Sequence, residues 1–339
     1  LPLSVSATKL SQFLYFPVDL GVFANAFREN VVMVKITKIF VMKKIFVLGV
    51  GAQKGGTTWL HRQLNNNSNV DMGFRKEYHV FDAIEKTLGR QLEDGTIRNG
   101  FREKRINQIL KLHEKNRLGI NQGPKRVQTK YAALHLSFID NTDTYFDYFD
   151  YLYLKNPKIE IVGDITPNYA LLSPSSFRLI RKGLIKRGFD VKVFFLMRDP
   201  VEREWSLARM KHRNMAAKRK DNFDEFEHML NSISSKSCYQ NTIGNIEKVF
   251  KKSEIYYGFY ENLFTPKSSA RIIDFIGSNL NNFDSGEVVN ASPKSTPIPE
   301  EINSQIAQKF VETYNFIEER FGQSVKDLWQ GYQVLKSNQ

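Results

Sequence analysis

The chain has 339 residues, a single cysteine and a formal net charge of +13, with 41% hydrophobic and 13% aromatic residues. That composition supports a sizeable core, and the lone Cys238 excludes both an intrachain disulfide framework and a cysteine-rich zinc site. The basic balance suits an anionic partner or ligand, whether nucleic acid, a membrane surface, a polyanionic sugar or an anionic cofactor.

In chain order, residues 1–41 fit poorly with the α/β pattern of the remaining chain. Their apolar patch, "FLYFPVDLGVFANAF", is interrupted by Pro17, Asp19 and Asn25. It is too short for a membrane span of roughly 20 residues, and it lacks the layout of a signal peptide. The stretch reads as an extension, either upstream sequence read through or a poorly ordered arm. Met42 opens "MKKIFVLGVGAQKGGTTW", the start of one α/β domain expected over 42–325, with 326–339 as a tail. With no signal or anchor in view, a cytoplasmic, bacterial-type protein is expected.

Buried-looking runs at Lys44–Gly49, Ile159–Gly163, Val191–Met197 and Glu254–Phe259 read as strands. Separated by helical patterns, they predict a parallel sheet covered on both faces, a three-layer P-loop-like sandwich. Helices are expected at Thr57–Asn65, Ser175–Arg187, Pro200–Arg213, Asn241–Lys251, Pro266–Ile276 and Glu300–Phe321. Asp199-Pro200-Val201-Glu202 has the form of a capping box with proline at the first helical position, and Thr265-Pro266 repeats the cap-then-proline device. Ile302, Ile306, Phe310, Ile317 and Phe321 share one stripe of the last helix. Residues 83–130 are charged and aperiodic. They read as the main part of an insertion over 83–150 outside the sheet, on the side of a second substrate. The six histidines show no metal-binding spacing, and no nucleic-acid module is present.

"KIFVLGVGAQKGGTTWLHRQL", residues 44–64, is a strand, a glycine-rich loop and a helix. Gly51 and Gly56 have the spacing of a Walker A loop, but Thr57 follows where lysine belongs, and the lysine is Lys54. The anion-binding physics survives that change: backbone N–H groups can curl around a phosphate, the helix start adds its dipole, and Thr57 and Thr58 offer hydroxyls. A strand-to-helix turn that merely needs glycines is the plainer alternative. In "VKVFFLMRDPVEREWSLARMKH", Arg198 stands at the carboxyl end of a strand, where α/β sheets place ligands, and Ser206 lies two turns into the following helix. An arginine fork suits a terminal phosphate. It could equally cap the strand end beside a surface helix.

"GAQKGGTTWL" resembles the 5′-phosphosulfate loop of the sulfotransferases that use 3′-phosphoadenosine 5′-phosphosulfate (PAPS), and Arg198 to Ser206 resembles their 3′-phosphate motif, R-D-P-x-x-R-x-x-S. "FRKEYHVFD", residues 74–82, is similar to the K-E-x-H-x-F segment of heparan-type and related members, and "GDITPNYA", residues 163–170, to a segment usually written G-E-x-(S/T)-P-x-Y, with Asp164 in place of the usual acid. The resemblance covers roughly residues 43–321. It implies PAPS as donor, 3′-phosphoadenosine 5′-phosphate (PAP) as product, and a carbohydrate-like hydroxyl or amine as acceptor. Lys54 would meet the leaving phosphate. Gly55, Gly56, Thr57 and Thr58 would hold the 5′-phosphate, Trp59 would lie by the adenine, and Arg198 and Ser206 would hold the 3′-phosphate. Tyr239, in the family's tyrosine-led helix, and Lys294, in a basic loop, are further cofactor candidates. Glu77 would be the general base, with His79 beside it.

In-line sulfuryl transfer needs a base, a cation on the leaving group and held partners. It does not require a divalent metal, since the sulfuryl group carries less charge than a phosphoryl group. The identity of the base stays open on physical grounds. An ordinary glutamate is a weak base at neutral pH, and histidine is better matched. Burial would raise Glu77, and nearby cations would oppose that. Two other classes of function are consistent with parts of the sequence. One is a P-loop kinase or NTPase with Asp199 at the end of a Walker B-like strand. The other is a non-enzymatic polyanion-binding protein using the basic surface.

Overall fold

The structure, a computed structural model, describes residues 43–88, 100–118, 124–216, 235–284, 286 and 298–337. Residues 1–42, the candidate Lys294 and parts of the 83–150 insertion lie outside the described residues.

In order the elements are β1 (Ile45–Gly51), α1 (Thr57–Asn65), β2 (Val70–Asp71), α2 (Phe81–Leu88), α3 (Gly100–Arg117), α4 (Pro124–Asp140), α5 (Thr142–Leu154), β3 (Ile161–Ile165), α6 (Pro174–Lys186), β4 (Asp190–Met197), α7 (Pro200–Ala216), α8 (Tyr239–Glu247), β5 (Ile255–Phe259), α9 (Tyr260–Leu263), α10 (Pro266–Ile276), α11 (Glu300–Lys309), α12 (Val311–Phe321), α13 (Ser324–Leu328) and α14 (Gly331–Ser337). The strands form one five-stranded parallel sheet in the order β2-β3-β1-β4-β5. β1 lies between β3 and β4, with Val47 opposite both Gly163 and Lys192.

All seven residues of β1 are buried, because the sheet carries a core on each face. Alternate residues serve each side, as the pleat requires. Phe46, Leu48 and Val50 join Val193, Phe195 and Met197 under α5, α6 and α8. Ile45 and Val47 join Phe194 and Leu196 under α1 and α10. This is the expected α/β sandwich of helix, sheet and helix.

Several boundaries differ from the sequence expectation. The stretch expected as one helix over Glu300–Phe321 breaks at Phe310 (φ −109°, ψ 18°) into α11 and α12, with no proline or glycine to signal it. Part of the expected insertion belongs to the core: Tyr145, Phe146 and Phe149 of α5 and Phe138 of α4 are buried beneath the sheet. The aromatic run "YFDYFDYLYL" therefore supplies one wall of the domain. Where the sequence suggests a tail from residue 326, α13 and α14 pack onto the same core through Trp329, which is wholly buried, and Tyr332.

Candidate functional site

The carboxyl ends of β1 and β4 face one cavity, lined from the glycine-rich loop by Lys54, Gly56, Thr57, Thr58 and Trp59. The loop presses on β4. Ala52 N–H donates to Leu196 O at 2.6 Å. A Cβ on Gly55 would stand 2.3 Å from that same carbonyl, so only glycine fits there. Gly56 takes φ 93° as the N-cap of α1 and offers no side-chain cap, which leaves the helix start to whatever anion enters the cavity.

Arg198 follows β4 directly. Only 7% exposed, it lies with its guanidinium 4.3 Å from the centre of the Tyr260 ring and donates from Nη2 to Glu202 Oε2 at 2.8 Å. Its buried Nε–H has no hydrogen-bond partner. Ser206, Arg209, Met210 and Arg213 continue the lining along α7, at helical spacings that share one face. Arg203 is wholly buried and ties α7 to the glycine-rich loop, donating to Gln53 O at 3.4 Å, and also to Ser237 Oγ at 2.5 Å. Asp199, which a Walker B reading would place on a metal, is instead the N-cap of α7, accepting from Val201 N–H at 3.0 Å. The Glu202 half of the expected capping box is not formed. Glu202 turns to Arg198, and Glu261 Oε1 accepts the Asp199 N–H at 2.9 Å.

Across the cavity, the loop between β2 and α2 carries a chain of alternating charges. Lys76 Nζ lies 2.7 Å from Glu77 Oε1, Glu77 Oε2 is 3.2 Å from His79 Nε2, and His79 Nδ1 is 3.0 Å from Asp82 Oδ2. The backbone of this loop is pinned from below. Thr166 Oγ1 accepts from Tyr78 N–H at 2.9 Å, Tyr169 Oη accepts from Val80 N–H at 3.2 Å, and His135 holds the Tyr78 carbonyl. Both pinning hydroxyls, and that of Tyr145, donate to the fully buried Asp164, at 2.6, 2.9 and 3.0 Å. Asp164 is thus the hub under the loop that presents Glu77.

This packing sets the electrostatics. Among the described lining residues one carboxylate, Glu77, faces Lys54, Lys76, Arg198, Arg209 and Arg213. Burial, and then repulsion from Arg198, Arg213, Arg209 and Lys76, lowers Lys54 to about 8. For Glu77, burial alone would raise the value, but hydrogen bonds from His79 and Lys76 and their charges outweigh it and bring it down to about 2. Burial opposes a charge on His79, yet Asp82 and Glu77 raise it to about 9. At neutral pH the loop therefore holds a carboxylate against an imidazolium.

A family model described as the sulfotransferase domain matches residues 43–308, most of the chain. The protein belongs to the sulfotransferase family. No curated protein matches its sequence. Among solved structures it is similar to a sulfotransferase from Alicyclobacillus acidocaldarius, 16% identical over 82% of this chain and 96% of that one, with a TM-score of 0.48. It is likewise similar to the sulfotransferase domain of the Synechococcus PCC 7002 olefin synthase, 16% identical over 81% and 97%, TM-score 0.41. A third is the sulfotransferase domain from the curacin biosynthetic pathway, 15% identical over 71% and 76%, TM-score 0.39. Among the described residues of this sulfotransferase, no helix is long and apolar enough to cross a membrane.

Of the residues singled out in the sequence, Lys54, Gly56, Thr57, Thr58, Trp59, Glu77, Arg198 and Ser206 line one cavity, and His79 lines an adjoining one that shares Gln53, Glu77, Pro167 and Met210 with it. Gly55 is not among the lining residues: its N–H donates to Ala52 O at 2.9 Å, and its missing side chain lets the loop pass close to Leu196 O. Trp59 is 1% exposed, edge-on to Phe264 and Phe283, with its indole N–H on Asp284 O at 3.1 Å. Tyr239 is not brought to the cavity. It is wholly buried, and its hydroxyl donates to Arg198 O at 2.6 Å, so it holds the strand end rather than facing a ligand. Lys76 opens the K-E-x-H-x-F segment but is given no role by it, and the sequence motifs do not mark Arg209 or Arg213. The two arginines are nonetheless within reach of sequence reasoning, three and seven residues beyond Ser206 on the same helix face.

Proposed function

We propose that this sulfotransferase moves a sulfuryl group from PAPS to a hydroxyl or amine of a polar acceptor, a carbohydrate in the first instance. The observation that carries the reading is the cationic cavity itself: five cations converge with a helix start and with the buried, unpartnered Nε–H of Arg198. A buried guanidinium with an unsatisfied donor is costly, and an anionic ligand would complete it. When bound, PAPS supplies the activated sulfuryl group. Lys54, Gly55, Gly56, Thr57 and Thr58 would hold its 5′ end, and Arg198 and Ser206 its 3′-phosphate, with Trp59 nearby. These groups orient the donor and answer the charge that grows on the leaving phosphate. Glu77 takes the acceptor proton, since His79 is already protonated. His79, held between two carboxylates, orients Glu77 and keeps it ionised. The second cavity, with Asn168, Lys211, Ser235 and Lys236 along its wall, is polar enough to favour a hydroxylated acceptor over an apolar phenol.

Incubation with labelled PAPS and a panel of glycans, lipids and phenols tests the reading. Label is expected on a glycan. Transfer to phenols alone would overturn the acceptor class, and turnover dependent on ATP and magnesium with none from PAPS would overturn the donor.

A further inference from the structure

The aspartate of the R-D-P motif is held more firmly than a helix cap requires. A cap needs one side-chain oxygen, and Asp199 Oδ1 fulfils that role at Val201 N–H. Two further donors reach the same carboxylate from the far end of the chain: the Tyr314 hydroxyl to Oδ1 at 2.6 Å and the Gly331 N–H to Oδ2 at 2.8 Å. The backbone N–H of Asp199 goes to Glu261 Oε1, and the other oxygen of Glu261 takes the Trp329 indole N–H at 3.0 Å. Trp329 is wholly buried, edge-on to Tyr314 and Phe259. The joint is close at Gly331, where a Cβ would stand 1.9 Å from the Tyr314 hydroxyl oxygen.

These bonds converge on Arg198 by two routes. Through Asp199 they fix the peptide that follows it. Through Glu261 they fix the residue next to Tyr260, the ring on which the Arg198 guanidinium rests. Tyr314, Trp329 and Gly331 all lie beyond residue 308, where the match to the sulfotransferase domain ends. The segment that supplies this support therefore lies outside the matched region.

We infer that residues 311–337 are a positioning element for the nucleotide site, a clasp that sets the Arg198 guanidinium and so determines how strongly the enzyme prefers a 3′-phosphorylated nucleotide. The inference rests on the proposed reading that Arg198 meets the 3′-phosphate. None of the clasp residues touches the reacting atoms. Their effect is on the orientation of one buried cation, which a shift of a fraction of an ångström would misalign.

The test is the ratio of two affinities, for PAP and for the same nucleotide without its 3′-phosphate, measured by calorimetric titration well below the melting temperature. Tyr314→Phe removes one hydroxyl and keeps the ring. It is expected to reduce the ratio by about tenfold, equivalent to one charge-assisted hydrogen bond lost between the misaligned Arg198 guanidinium and the 3′-phosphate. Glu261→Gln should reduce it similarly and carries the test if Tyr314→Phe does not fold. Arg198→Ala is the reference and should reduce the ratio further than either clasp variant, leaving only what Ser206 contributes. A support that only stabilises the fold would lower the melting temperature and leave the ratio unchanged. An unchanged ratio in both clasp variants, with Arg198→Ala collapsing it, overturns the clasp and leaves the nucleotide reading intact. A wild-type ratio in Arg198→Ala overturns the reading of Arg198 and the clasp with it.

Discussion

Lys54 provides the sharpest measurement. In the free protein its ammonium is lowered to about 8, first by burial and then by Arg198, Arg213, Arg209 and Lys76. A bound nucleotide brings negative charge to all of these cations and favours the charged lysine, so binding above that pH should take up a proton. The affinity is then highest below pH 8 and falls as pH rises through it. If the anion restores Lys54 to the ordinary 10.5, one-proton linkage gives a fall of roughly 30-fold between about pH 7 and about pH 9.5. A screened, partly solvated site that recovers only part of the shift gives about tenfold. Calorimetric titration of PAP in two buffers of different ionisation enthalpy reads both quantities, with uptake of about 0.9 proton expected near pH 9 at full recovery. Lys54→Met should bind more weakly and show neither the slope nor the uptake. A wild-type affinity that is flat over this range, or a Lys54→Met variant with the same slope, would refute the argument that Lys54 faces the bound anion.

Three further outcomes are expected. Glu77→Gln should lower turnover at saturating donor by at least roughly 100-fold with nucleotide affinity near wild type, while His79→Ala is milder; near-normal turnover in Glu77→Gln with none in His79→Ala would make His79 the base. Burial raises Asp164 to about 6 against the hydroxyls that hold it, so its contribution to stability is complete below pH 3.8 and is lost as pH rises through 6. Relative to Asp164→Asn, the wild type should therefore gain about 2.4 kcal/mol on going from about pH 7.5 to about pH 4, read by urea denaturation, and equal pH profiles for the two proteins would count against it. Gly55→Ala forces a methyl group to within 2.3 Å of Leu196 O unless the loop moves, so PAP binding should weaken by more than about tenfold in a folded protein; wild-type affinity in a calorimetric titration would show that the loop position is not critical.

The loop and strand-end motifs of the candidate site are legible in the sequence because their signals are local. A glycine-rich loop between a strand and a helix, and an arginine at the end of a later strand, each declare themselves within a few residues. α1 and α10 have the bounds their caps and spacing predict. What the sequence conceals is long-range. β2 has two residues, too few for any periodicity. The protonation of Glu77 and His79 depends on a charge chain whose order along the loop is visible but whose geometry is not. Asp164 stands in a segment that can be matched but not interpreted, because its role comes from hydroxyls 19 residues before it and 2 and 5 residues after it. Trp329 reads as tail because its partner, Glu261, lies 68 residues away.

The cations of α7 are spread along an axis. From Ser206 to Arg213 the helix rises about 10 Å, two turns of a single face, with Arg198 just before its start and Lys54 opposite. On the proposed reading, the helix is a ruler laid against the ligand. A compact oxyanion such as free sulfate can neutralise one graduation and leaves the others facing water. A molecule whose charges are separated by a rigid, uncharged spacer can meet several at once, and each attachment raises the effective concentration of the next. For inhibitors of this enzyme, the distance between two negative groups should matter more than their total charge.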